Sequence, residues 1–114
     1  MNPQAVLELL DEKQRELSCL NDDLIIKAEE KAKTEGKYRK ELRKELLILR
    51  QEKVPTTIIN DLAKGKNEIA LLRYKRDLAE SNYYICISSI ENKRLEIEVL
   101  RSKLTWLRAE YQSY

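Results

Sequence analysis

The chain has 114 residues, 37% of them charged and only 6% aromatic, with two glycines, two prolines and no Phe or His. A chain this short makes one domain at most, and the composition is that of long helices. Without histidine there are no Cys–His or Ser–His nucleophile pairs and none of the usual zinc or di-iron ligand sets; no apolar run approaches the length of a membrane span, and the start Met1-Asn2-Pro3-Gln4-Ala5 lacks a basic segment leading into an apolar core, so a soluble, cytoplasmic protein is expected.

Asn2 before Pro3 marks a helix start, because Asn accepts from the free backbone donors of a first turn and Pro loses no hydrogen bond at the first helical position. Leu10, Leu17, Leu20, Leu24, Ala28 and Ala32 keep to one face, and Leu42, Leu46 and Leu49 resume it after a polar interval. The weak piece is Lys27 to Arg39, where alanines and charges dominate and Gly36 costs about 1 kcal/mol in a helix interior. One continuous helix over residues 3–52 is expected, with a kink or break near Gly36 as the alternative.

Val54-Pro55 ends that helix, since the residue before proline is pushed out of the helical region. In the tip, residues 53–67, Thr56 or Thr57 is expected to cap a short helical segment that Lys64-Gly65 closes, and Asn67 to cap the helix after it. Val54, Ile58, Ile59 and Leu62 would form a compact apolar plug there.

The last helix, residues 68–113, carries the strongest signal. Ile69, Leu72, Arg76, Ala79, Tyr83, Cys86, Ile90, Lys93, Ile97, Leu100, Leu104, Leu107, Tyr111 and Tyr114 recur at alternating steps of three and four, with only Arg76 and Lys93 breaking the apolar rule. This is a coiled-coil seam. A helix of roughly 46 residues at about 1.5 Å per residue is too long to fold inside a globule of this size, so it needs a partner along its length. The run Tyr83-Tyr84-Ile85-Cys86-Ile87 alone scores as a strand, but the heptad passes through it without a change of phase, which makes it helix. The expected fold class is all-α, an antiparallel helical hairpin or coiled coil of two long helices with a short helical turn at the tip, forming a single domain over 1–114.

Leu71, Leu78, Ile85, Val99 and Trp106 fall seven apart on the same helix, interrupted by Asn92, on a flank separated from the first seam by Lys75, Asn82, Ser89, Glu96 and Lys103. One antiparallel neighbour covers one seam. The second stripe therefore reads as a self-association surface, a dimer being favoured, or as a docking face for another protein; a bent or third helix of the same chain is the alternative cover. Cys19 and Cys86 read as two reduced thiols, with a disulfide between them as the alternative.

Charge is uneven: residues 37–76 carry twelve basic and five acidic side chains, whereas residues 1–36 carry five and nine. Lys37-Tyr38-Arg39-Lys40 with Arg43 and Lys44 precedes the turn, and in a hairpin it comes opposite Arg73-Tyr74-Lys75-Arg76. Cations neutralise phosphates and a tyrosine ring offers a surface to an unstacked base, so these ten residues are the candidate contact for single-stranded nucleic acid or another acidic partner. The alternative is a solvated face paired with Glu41, Glu45 and Glu68. Lys64-Gly65-Lys66 and Glu35-Gly36-Lys37 lack the flanking glycine and following Ser or Thr of a phosphate-binding loop, so no cofactor is expected. Asp22-Asp23 and Glu29-Glu30 diverge by about 100° on a helix and face water rather than forming a catalytic pair. An enzyme is not expected.

The stretch from Tyr38 to Glu80, through Glu52-Lys53-Val54-Pro55-Thr56-Thr57-Ile58-Ile59-Asn60-Asp61-Leu62-Ala63-Lys64-Gly65 and Ala70-Leu71-Leu72-Arg73-Tyr74-Lys75-Arg76-Asp77-Leu78-Ala79-Glu80, resembles small helical phage and prophage proteins encoded close to DNA replication, recombination and single-strand-binding functions. The resemblance carries over no functional residue. It implies a non-enzymatic phage accessory protein in nucleic-acid metabolism in the host cytoplasm, or an inhibitor that docks on a host nuclease or defence complex. A purely structural spacer is the third reading.

Overall fold

The computed structural model describes residues 2–112. Among them the chain forms three helices and no strand: α1 over Pro3–Gln51, α2 over Ile59–Gly65 and α3 over Asn67–Gln112. The fold is an all-α helical hairpin. No described helix is long and apolar enough to cross a membrane. The chain divides into two compact units, one of Met1–Ile25 with Tyr84–Tyr114 and one of Ile26–Tyr83.

α1 starts as the Asn-Pro pair predicts: the Asn2 side-chain oxygen accepts from the Ala5 N–H at 2.8 Å. The helix runs through Gly36 without interruption. Its end is closed by a device with no glycine in it. Lys53 takes φ 60°, the left-handed conformation, so that the Lys53 N–H donates to the Arg50 carbonyl at 3.0 Å and the Val54 N–H to the Leu49 carbonyl at 3.1 Å. These are the two bonds of a Schellman cap, whose left-handed residue is usually glycine. A side chain in that conformation costs roughly 1–2 kcal/mol, so Lys53→Gly is expected to stabilise the protein by about 1 kcal/mol, read as a higher urea midpoint with an unchanged slope.

The other two expected caps do not form. Ile58 precedes α2 with no side-chain hydrogen bond to the first turn, so neither Thr56 nor Thr57 serves it. Asn67 is itself the first residue of α3, after an extended Lys66 whose carbonyl accepts from Ala70. The tip plug is also smaller than expected: Ile59 and Ala63 are buried and Val54 is half-buried, but Ile58 and Leu62 are exposed.

In the first unit, α1 and α3 run antiparallel, with Glu16 beside Lys93 and Lys13 beside Glu96. Val6, Leu10, Ile97, Leu104 and Leu107 make the core, with Leu17 and Leu100 packed against it; Cys86 and Ile90 are buried too. Val6 is one turn ahead of the predicted face and is its most deeply buried member. Tyr111 is exposed, and Tyr114 lies outside the described residues. In the second unit, Lys66 meets Glu45 and Arg76 meets Glu35, again antiparallel. There Ile69 and Ala79 are buried and Leu72, Arg76 and Tyr83 half-buried, as the seam predicts; Ala32 is exposed, and α1 presents Tyr38 in its place.

Candidate interaction surfaces

The basic block lies wholly in the second unit, and helical geometry divides it. Tyr38 is 4% exposed, with its ring under the Arg76 guanidinium at 4.4 Å from the ring centre. Arg76 also bonds Asp77 at 2.8 Å and stands 3.5 Å from Glu35; Asp77 chiefly, with Glu35, holds its guanidinium more firmly charged than an ordinary arginine. Tyr38 and Arg76 are therefore corrected from surface contacts to a knot between α1 and α3. A buried ring has no face to offer a base, and this cation is already occupied. Arg39 pairs with Glu35, and Lys44 with Glu41 at 3.3 Å.

What remains is a track and a remote ring. Lys33, Lys37, Lys40 and Lys44 follow one another at steps of four, three and four along α1, which puts them on one stripe. Lys33, Lys37, Lys40 and nearby Arg43 are exposed, and none has a carboxylate within 4.0 Å among the described residues. Lys33 was absent from the expected site, although its place four residues before Lys37 marks it. Two residues make about 200° of helical turn, so Lys40 points away from α3 just as Tyr38 points at it. Tyr74, which is 64% exposed, is likewise two residues from Arg76 and turned away from α1. Arg73 and Lys75 fall on opposite flanks of α3. The ten expected residues do not form one patch.

In the first unit, the polar break at Lys93 meets Glu16 of α1 and Glu96 of α3 itself. Lys93 lies 2.6 Å from Glu16 and 3.2 Å from Glu96, and Lys13 lies 3.6 Å and 3.5 Å from the same two carboxylates. The Lys93 hydrogen bonds lower the pKa values of Glu16 and Glu96, and Glu16 in turn raises that of Lys93. A carboxylate whose folded pKa is lowered contributes stability above its unfolded value, about 4.3, which is lost as pH falls through the folded value. A lysine whose folded pKa is raised contributes below its unfolded value, about 10.4, and that is lost as pH climbs through the folded one. The melting temperature is expected to be flat between about pH 5 and pH 10 and to fall outside, with a shallower acid limb in Glu16→Gln.

The second stripe is open. Leu71 and Leu78 in the second unit are exposed, and so are Ile85, Val99 and Trp106 in the first, Trp106 at 65%; no other part of the described chain covers them. Leu95, three residues after Asn92, joins this face and is exposed as well. Both cysteines are free: Cys19 is exposed, and the buried Cys86 thiol donates to the Leu20 carbonyl at 3.5 Å. Among the described residues no group of three or more His, Cys, Asp or Glu side chains is placed to hold a metal ion.

By its fold and surfaces the protein is an all-α hairpin with a cationic track on one helix and an apolar stripe on the other. No protein-family model, curated protein or solved structure matches the chain.

Proposed function

We propose that this chain is a non-enzymatic accessory protein that binds nucleic acid through its phosphate backbone, along the α1 track of Lys33, Lys37, Lys40 and Arg43. The supporting observation is that none of these four exposed cations has a carboxylate within 4.0 Å among the described residues. A linear row of unpaired cations suits a polyanion better than a compact ligand, and it reads charge rather than sequence. With Tyr38 buried and Tyr74 on the other side, base stacking adds little, so single and double strands bind alike. The phage setting rests on the sequence resemblance alone. The exposed stripe of α3 supports self-association.

The test is fluorescence anisotropy of labelled single- and double-stranded oligonucleotides across a salt series. Lys37→Ser with Lys40→Ser is expected to weaken binding about tenfold or more near 0.1 M salt, and to reduce the slope of log K against log salt by about 2. No binding of the parent at low salt, or equal binding by the double variant, would reject the track.

A further inference from the structure

Within the first unit, the outer side of α3 carries a second heptad series. Ile85, Asn92, Val99 and Trp106 share one position; Ser88, Leu95, Ser102 and Ala109 share the position three residues on, and all eight are exposed. The first set is mostly bulky and the second mostly small. This asymmetry decides how the face can pair with itself.

Laid parallel, two copies would set Ser88 on Ser88, Ser102 on Ser102 and Trp106 on Trp106, leaving gaps beside crowded layers, which close packing disfavours. Turned end for end about an axis level with Ile97, the two sets face each other. Val99 then meets Leu95 of the second copy, Trp106 meets its Ser88 and Asn92 meets its Ser102. Sliding this arrangement one heptad either way sets Asn92 against Leu95 or Ala109 and strands its amide without a polar partner. A shallow groove of about 570 Å³ runs beside Asn92, Leu95 and Val99, with Leu9 of α1 in its wall. It lies at the level of the axis, where the second copy's Leu95 and Val99 would enter.

We infer that the occupant of this face is a second copy of the chain, held antiparallel and two-fold symmetric along α3 with the axis level with Ile97. The inference rests on the self-association reading above and adds the arrangement. Sedimentation of the full chain is expected to give twice the 13.5 kDa chain mass. Val99→Glu should halve the measured mass while leaving helical circular dichroism unchanged, since Val99 is 65% exposed within the single chain. For the arrangement, Leu95→Cys and Val99→Cys are made as separate proteins, each with Cys19→Ser, and oxidised alone and mixed. Cross-linking confined to the mixture is expected. Cross-linking of either variant alone with no gain on mixing would overturn the antiparallel register, and a monomeric parent at every concentration would overturn association itself.

Discussion

Ile97→Asp is expected to unfold the first unit. Ile97 is 5% exposed, among Val6, Leu10, Leu104 and Leu107. Removing its side chain to alanine should cost about 2–5 kcal/mol through lost burial and the cavity left behind. A carboxylate in the same space adds the penalty of a desolvated charge with no cation provided for it. The total approaches the roughly 5–15 kcal/mol that holds a whole domain together, so circular dichroism at 222 nm should show a large loss of helix without denaturant. Two residues along, Val99→Asp should change stability by no more than about 0.5 kcal/mol when measured at a dilution where the chain is monomeric, because that position faces water. Equal losses at both positions would reject the buried seam as drawn.

Tyr38→Ala is the second large effect, expected to cost about 3–5 kcal/mol in urea denaturation, as for other buried aromatics. Part of that is the stacking of Arg76 on the ring, worth roughly 0.5–2 kcal/mol. Tyr38→Phe keeps the ring and should cost under about 1 kcal/mol, with oligonucleotide binding unchanged because the hydroxyl lies off the α1 track. A Tyr38→Ala protein of near-parental stability that binds oligonucleotides poorly would return this ring to the surface.

These two residues also show where local sequence carries structural information. Ile97 could be placed because the heptad samples its position repeatedly over α3, and each repeat constrains the next. The start of α1 was legible too, since Asn2 acts through local backbone chemistry. Tyr38 was misplaced because its neighbours in sequence are charged, although neighbours on a helix diverge by about 100°. The better guide was spacing: Tyr38, Leu42, Glu45 and Leu49 step by four, three and four, and so share the inward side of α1. Arg76 carried the same warning, as one of two charged residues in a seam that is otherwise apolar. The left-handed Lys53 had no sequence mark, because the usual signal is glycine, and the chain accepts the strain at a lysine instead. The cations of the track were visible as composition, but which of them lack an acid beside them depends on side-chain reach across turns, as Arg39 with Glu35 and Lys44 with Glu41 show.

The meeting of Arg76 with Glu35 has a consequence for alignment. Apolar seams are poor rulers: Leu, Ile and Ala positions seven residues apart look much alike to a facing helix, and a pair held by them alone could settle one heptad out of step. In the second unit such a slip would bring Arg76 level with Ala28 in one direction or Leu42 in the other. Neither can answer a guanidinium, so a slip would part Arg76 from Glu35 and from the Tyr38 ring and leave it only Asp77, its neighbour on α3. The charge at that seam position thus makes out-of-step pairings costly, so that one alignment of the hairpin is populated where a wholly apolar seam would permit several.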